Sequence, residues 1–453
     1  MQKEGDEKWH EAHARLTSRA TTNEYAPVTA NIAMISEHAS PLATIGGVDA
    51  GGQNIYVAHT ARHLANLGYA VDIFTRRDHE DLPDVVEWMP GIRVFHVRAG
   101  PACFVRKESL LPHMAQFARV VVQHAREARD RGAPYAVCHA HFFMSGLVAR
   151  RLKQALAIPY VVTFHALGRV RLLHQPHDEF PPQRCILEQM VIDAADAIVA
   201  ECPQDEMDLQ RHYRTPASRM RMIPCGFDPD ELQPVTRAAA RAHLALPADR
   251  PIVLQLGRMV PRKGVDTVIR ALGLLERRYR LSPLLLIVGG ESATPDPVRT
   301  PEIGRLQRIA AEEDVSADVL FVGQRPRSEL RYFYSASDVF VTMPWYEPFG
   351  ITPVEAMACG IPVIGARVGG VQYSVEDGRT GFLVEARNAD ALARRLAHVF
   401  SDPSIPRLLG KRARRRAWER FTWEQISRSL ADLYAEVATA ASLSRPALAQ
   451  GTR

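Results

Sequence analysis

The chain has 453 residues, 46% of them hydrophobic and 24% charged, which is the composition of a folded globular protein and excludes a disordered one. A balance of 56 Lys and Arg against 51 Asp and Glu leaves a net charge of +5, too mild to imply nucleic acid. No apolar run approaches the roughly 20 residues of a transmembrane helix. At roughly 150 residues per domain, two or three domains are expected. Cys103, Cys138, Cys185, Cys202, Cys225 and Cys359 are scattered without a CxxC pair and read as free thiols of a reducing cytosol. Residues 1–26 lack the apolar core of a secretory signal and read as a polar extension.

From residue 29 short apolar runs alternate with helical patterns. Ala30–Ser36 is strand-like, a glycine-rich loop follows, and a helix is predicted over 53–67, with Val57, Ala61, Leu64 and Ala65 on one face. Gly68 stops it, and Ala70–Thr75 is the next strand. This is a βαβ unit, hence a parallel sheet. Further strands are predicted at Ile92–Val97, Tyr135–Ala140, Pro159–Thr163, Ala197–Ala200 and Met220–Pro224. Helices are expected near 110–130, 145–156, 183–194 and 204–213. Prolines and charges loosen the pattern over 227–251. The rhythm then restarts with a strand at Pro251–Leu256 and a helix at Val265–Arg277. Strands at Leu284–Val288, Val319–Val322, Asp338–Thr342, Pro362–Ile364 and Gly381–Val384 follow. Thr422 and Gln425 fit a capping box for a terminal helix over Thr422–Ala440. The fold class is α/β, with two consecutive doubly wound halves and a ligand cleft at the C-terminal ends of both sheets.

Four segments carry chemistry. In PWYEPFGITPVEAMACGIPVIGARVGG, residues 344–370, Thr352 is read as the cap and Pro353 as the first residue of a helix. The free N–H groups around Phe349, Gly350 and Ile351 suit a phosphate. Glu347 and Glu355 suit sugar hydroxyls, against the blander reading of a capping and a surface glutamate. In LGRMVPRKGVDTVIRA, residues 256–271, Arg258 and Lys263 leave a strand end as two fixed cations for a diphosphate, or form a salt-bridged loop. In GGVDAGGQNIY, residues 46–56, Gly46, Gly47, Gly51 and Gly52 permit close backbone approach. Their spacing is not GxGxxG, and Asp72 lies within its strand, so a nicotinamide site is disfavoured. In VVTFHALGRVR, residues 161–171, His165 ends a strand and faces the cleft, with Arg169 and Arg171 placed for an anion. His139 and His141 alternate as in a strand and are not read as metal ligands. The basic run 411–416 reads as a solvated helix face, with docking to an anionic membrane as the alternative.

Together these segments resemble the retaining glycosyltransferases of family four, over about residues 29–440. EPFGITPVE matches the E-x7-E motif, and the G-R-x(4)-K-G segment matches as well. The GGQ of the glycine loop, RKESLLPHM at 106–114, HAHFFMSG at 139–146 and FHALGRVR at 164–171 are most similar to the branch of sucrose-phosphate synthase, sucrose synthase and mycothiol glycosyltransferase. The loop here reads Asp49-Ala50-Gly51-Gly52-Gln53, where synthases often have D-T-G-G-Q. The resemblance implies a GT-B fold, with an N-terminal acceptor domain over 27–235 and a donor domain over 236–421. The helix at 422–440 crosses back to the first domain, and 441–453 is a tail.

The resemblance also assigns roles. Arg258 and Lys263 would hold the donor diphosphate, Glu355 the ribose, and Glu347 hydroxyls of the transferred sugar. Phe349, Gly350 and Ile351 would offer backbone donors. His165 would contact the hexose. Gly51 and Gly52 would border the donor and Gln53 the acceptor. Gln324 and Arg325 would lie near the base. Lys107, Arg169 and Arg171 would attract an anionic acceptor.

The expected reaction is hexose transfer with retention from a nucleoside diphosphate sugar, UDP-glucose first, to a sugar phosphate or inositol phosphate. A glycan or lipid acceptor stays open. The resemblance implies no metal or other cofactor, since the cations and the helix N-terminus take that place. A cytoplasmic enzyme is expected, and peripheral contact with the inner membrane face stays open. Lys263→Ala or Glu347→Ala is expected to remove most turnover with little effect on folding. A nucleotide-sugar epimerase and a nonenzymatic nucleotide-sugar-binding protein remain as alternatives.

Overall fold

A computed structural model describes residues 30–43, 51–175 and 179–443 of the chain. The extension at 1–26, the loop residues Gly46, Gly47, Asp49 and Ala50, and the tail from residue 444 lie outside the described residues.

The first half opens as β1 (Asn31–Ile35), α1 (Gly52–Asn66) and β2 (Ala70–Arg76). Tyr56, Val57, Ala61 and Leu64 bury one face of α1, and Gly68 ends it at φ +92°. It continues as β3 (Val85–Met89), β4 (Ile92–Val97), α2 (Met114–Asp130), β5 (Tyr135–His141), α3 (Phe143–Leu156) and β6 (Tyr160–Thr163). Then come α4 (Gly168–His174), α5 (Arg184–Ala194), β7 (Ala197–Ala200), α6 (Pro203–Tyr213) and β8 (Met220–Met222). The eight strands form one sheet in the order β3-β4-β2-β1-β5-β6-β7-β8, parallel except for the edge strand β3.

The second half comprises α7 (Arg237–His243), β9 (Ile252–Leu256), α8 (Val265–Tyr279), β10 (Leu284–Val288), α9 (Pro301–Glu312), β11 (Val319–Gly323) and α10 (Arg327–Ala336). It goes on through β12 (Val339–Thr342), α11 (Ile351–Ala358), β13 (Val363–Ala366), α12 (Val371–Ser374) and β14 (Gly381–Val384). Helices α13 (Ala389–Ser401), α14 (Ser404–Arg420) and α15 (Trp423–Leu443) close the chain. Its six strands are all parallel, in the order β11-β10-β9-β12-β13-β14. Every residue of β10 is buried, as expected when helices cover both faces of a parallel sheet.

Strand order reverses between β1 and β5 in the first sheet and between β9 and β12 in the second. Such switch points open a crevice at the strand C-termini. The chain crosses between the halves twice, and the crossings lie side by side. The Phe227 N–H donates to the Phe421 carbonyl at 2.8 Å, and the Trp423 N–H to the Phe227 carbonyl at 3.0 Å. Helix α15 then packs on α1 and β5 of the first half. Trp423, fully buried, meets Tyr56 edge-on at 5.5 Å. The Gln425 N–H donates to Thr422 Oγ1 at 3.4 Å, closing the first turn of that helix.

The structure corrects several expectations. Strand β3 was not predicted, because as an edge strand it alternates between exposed and half-buried residues instead of carrying a core stripe. Helix α4 occupies what reads as a plain loop after His165. Helix α7 sits inside the loosened 227–251 stretch, capped by Thr236, whose side chain accepts from the Ala239 N–H. Helix α11 begins at Ile351 with Gly350 as its cap at φ +89° and no side-chain cap, so Thr352 and Pro353 lie inside its first turn. The basic run on α14 is not one solvated face. Arg416 turns inward to Glu376 and the carbonyls of Tyr373 and Ser374, and Arg414 lies over Trp418 at 5.4 Å.

Candidate functional site

The cleft between the sheets is lined from both halves by strand-end loops. Gly51, Gly52 and Gln53 follow β1, and His165 follows β6. Arg258, Arg262 and Lys263 follow β9, Gly289 and Gly290 follow β10, Gln324 and Arg325 follow β11, and Tyr346–Ile351 follow β12. The halves approach closely: a Cβ on Gly51 would stand 3.7 Å from Arg258 Nε, and one on Gly52 3.7 Å from Ile351 Cδ1.

Lys263 and Glu347 form a largely buried ion pair. Burial lowers the Lys263 ammonium, partly offset by Glu347. Burial pushes the Glu347 carboxyl up, but Lys263, Arg262 and Arg258 outweigh it and hold it below the usual carboxylate range. Beside this pair the N-terminus of α11 presents the backbone of Phe349, Gly350 and Ile351 to the cleft. Its uncapped N–H groups and the positive helix end favour an anion. Seven Lys and Arg side chains line the cleft against three glutamates, so the field favours a polyanion.

Glu355 is 1% exposed. Arg327 Nη2 lies 2.9 Å from one of its oxygens, and the Tyr334 hydroxyl donates to the other at 2.8 Å. Arg327 is in turn held by Glu231 at 2.8 Å. Gln324 donates its N–H to the Ser292 carbonyl, and Arg325 donates to the Ala293 carbonyl at 2.7 Å, which fixes both on the outer donor-side wall.

On the opposite wall His165 adopts φ +55°, a left-handed conformation that aims its ring back into the sheet edge. Its Nδ1 is 2.9 Å from Glu201 Oε1, and its Nε2 is 3.1 Å from His141 Nδ1. Both ring nitrogens are thus engaged by the protein. The Gln53 amide donates to Ser36 Oγ at 3.1 Å and to the His141 carbonyl at 3.3 Å. Lys107, close to Glu108, and Arg171, over the Phe180 ring at 5.2 Å, both line the cleft. Arg169 does not. Its backbone N–H donates to the Tyr213 hydroxyl, its guanidinium covers the Tyr213 ring at 4.8 Å and bonds the His212 carbonyl. His139 is spoken for by the Tyr434 hydroxyl at 2.6 Å and by Thr163 at 2.9 Å.

Sequence reasoning missed Arg262, Arg327, Glu201 and the Gly289-Gly290 pair. The glycine pair had a readable signal, since it directly follows the apolar run Leu284–Val288. Glu201 likewise directly follows the Ala197–Ala200 strand.

The buried histidines set a stability optimum. Burial lowers His139 to about 3 and His141 well below its usual 6.5. Burial and the Glu201 charge raise Asp205 to about 8. As pH falls below about 6.5, the unfolded chain takes up protons that the folded histidines refuse: His139 and His141 alone lower stability by roughly 2.7 kcal/mol per pH unit, and the partly buried His63, His124 and His174 act in the same direction. Asp205 acts oppositely, because its folded form holds a proton between pH 3.8 and 8, and it offsets roughly half of the slope from His139 and His141. Above about pH 7 the histidine contribution fades, and Asp205 makes stability decline as pH rises toward 8. Urea midpoints at pH 5, 6.5 and 8 should therefore peak at the middle value, and Asp205→Asn should remove the decline on the alkaline side.

A family model described as glycosyl transferases group 1 matches residues 236–416, and one described as glycosyltransferase family 4 matches residues 50–231. A D-inositol 3-phosphate glycosyltransferase of Streptomyces bingchenggensis is 36% identical over 411 residues, covering 89% of each chain. A protein of the same name from Acidothermus cellulolyticus is 36% identical over 93% of this chain and 94% of its own. The solved sucrose-phosphate synthase of Thermosynechococcus elongatus superposes with a TM-score of 0.82 at 36% identity, covering 91% of this chain and all of its own. HepE of Anabaena, solved with UDP and glucose, shares the fold at 20% identity, with a TM-score of 0.69 over 89% of this chain and 99% of its own.

Proposed function

The chain belongs to the group 1, family 4 glycosyltransferases of GT-B fold, enzymes that use a nucleotide-sugar donor, and from that premise we propose that it transfers a hexose with retention to an anionic hydroxyl acceptor. The observation that carries this reading is the convergence of Arg258, Arg262, Lys263 and the α11 N-terminus on one wall of the cleft, opposite His165 and Gln53. A diphosphate seated there gains negative charge as the glycosidic bond breaks. Fixed cations and backbone N–H groups stabilise that charge in a closed cleft. Glu347, held by Lys263, faces the donor side as an acceptor for sugar hydroxyls, and Glu355, oriented by Arg327 and Tyr334, would take the ribose.

Among the described residues, no second carboxylate stands free beside Glu347 for double displacement: Glu201 is committed to His165, and Glu355 to Arg327 and Tyr334. The acceptor hydroxyl would attack on the face the diphosphate leaves, and a diphosphate oxygen would take its proton. The cations and helix end supply the charge that a metal would otherwise bring, so turnover should not require added Mg2+ or Mn2+. Gln53, Lys107 and Arg171 would meet the acceptor. A phosphate on it fits the two cations, and the relatives named for inositol phosphate and for sucrose phosphate support an acceptor of that kind. UDP-glucose is the first donor to try.

The test is nucleotide release from UDP-glucose with and without inositol phosphates, sugar phosphates and neutral sugars. Release that rises with a phosphorylated acceptor, giving a product whose anomeric configuration by proton NMR matches the donor, supports the proposal. Release that rises only with a neutral sugar overturns the anionic acceptor, and donor conversion with no acceptor supports an epimerase instead. Binding of the donor without turnover supports a binding protein. Among the described residues no helix is long and apolar enough to cross a membrane.

A further inference from the structure

A cluster of ligating side chains lies behind the cleft, where the chain crosses between its halves. His59 and His63 are four residues apart on α1, so both rings leave one helix face. Asp228 follows Phe227 on the first crossing. One nitrogen of each ring and one carboxylate oxygen lie within 4.8 Å of one another. His59 is 3% exposed, yet its Nδ1 and the Nε2 of His63 are buried without a hydrogen-bond partner. Such orphaned ring nitrogens are costly unless something completes them.

The spacing suits an ion better than a hydrogen bond. His59 Nδ1 stands 3.5 Å from Asp228 Oδ2, beyond a good N–H···O distance. It is close to the roughly 3.4 Å edge of a tetrahedron whose metal–ligand bonds are about 2.1 Å. The donors are also held from behind. The His59 ring stacks on Trp423 at 5.5 Å, and its Nε2 faces Glu231 at 3.6 Å. A carboxylate on the far ring nitrogen commonly orients a ligating histidine. The second Asp228 oxygen accepts from the Asp230 N–H at 2.9 Å.

We propose that His59, His63 and Asp228 bind one divalent transition-metal ion of the zinc type, with water as the fourth ligand. Two imidazoles and one carboxylate favour such an ion over magnesium or calcium. Arg62 now occupies the position of the positive charge, 3.3 Å from the same Asp228 oxygen. Its side chain is 34% exposed and also reaches Glu231 at 3.9 Å, so it can turn to Glu231 or solvent as the ion enters. The ion ties α1 to the first crossing at the point where Trp423 begins the returning helix. It takes no part in the transfer chemistry, and its binding does not depend on the proposed donor or acceptor.

The experiment is a Co2+ titration of the full chain after chelator treatment, read by visible d–d absorption, with displacement by Zn2+. One equivalent with a tetrahedral-type spectrum is expected. His63→Ala and Asp228→Asn should each weaken that uptake at least about tenfold. His63 is only half-buried on a helix surface, so far-UV circular dichroism of His63→Ala should stay unchanged. Absence of saturable Co2+ uptake, or uptake of equal affinity in either variant, overturns the proposal.

Discussion

Lys263→Ala should lower turnover by about 10²- to 10³-fold, the loss typical when one preorganised charge-stabilising group is removed. In the proposed reaction Lys263 would stand with Arg258 and Arg262 where the departing diphosphate gains charge, so the loss should fall on kcat more than on donor affinity. The sequence alone suggested that folding would be spared. The buried ion pair with Glu347 changes that expectation, because removing one partner of a buried pair leaves the other uncompensated, at up to about 3–5 kcal/mol. The two directions should differ. Without Lys263, Glu347 still faces Arg258 and Arg262, both of which act on it. Without Glu347, Lys263 faces those two arginines with no counter-charge. Glu347→Ala should therefore lower the melting temperature more than Lys263→Ala, and removing both should cost less than the sum. Steady-state kinetics with melting curves of the three variants check this. Near-normal turnover in Lys263→Ala would reject its role, and an additive double variant would reject the coupling.

The loops that build the site were legible because each follows an apolar strand run and is punctuated by glycine or proline. Gly51-Gly52, Gly350 and the R-x(4)-K segment needed no tertiary information. What escaped was pairing across the fold. Lys263 meets Glu347, and Glu231 meets Arg327, through the register of strands and crossings far apart in sequence, and no periodicity encodes that. Arg169 and Arg171 illustrate a local failure. Read as a loop, FHALGRVR sends both arginines toward an anion. On helix α4 residues two apart point to nearly opposite sides, so Arg171 reaches the cleft and Arg169 packs on Tyr213. The helix was missed because its seven residues are too few to establish a 3.6-residue period. The metal-type cluster escaped for the same reason as the ion pairs: His59 and His63 are readable as a helical pair, but Asp228 joins them only where the chain crosses back.

Gly369→Ala should lower turnover by about 10²-fold through a shift of Glu347. The Gly369-Gly370 turn lies directly beneath the loop that carries Glu347 and Phe349. The Gly370 N–H donates to the Glu347 carbonyl at 3.1 Å, and a Cβ on Gly369 would overlap that same carbonyl oxygen. The φ of Gly369 is +45°, so alanine also meets a backbone penalty of about 1–2 kcal/mol. Gly378 separates the two effects. It has φ +73°, but a Cβ there would meet nothing within 4 Å, so Gly378→Ala suffers the backbone penalty alone. If close approach is what matters, Gly378→Ala should melt lower yet turn over normally. Gly369→Ala must instead move the Glu347 loop away, and displacement of a positioning group by about 1 Å is enough for a 10²-fold loss. Equal turnover in the two alanine variants would mean that the loop absorbs the methyl elsewhere, and that the glycine turn does not hold Glu347 in place.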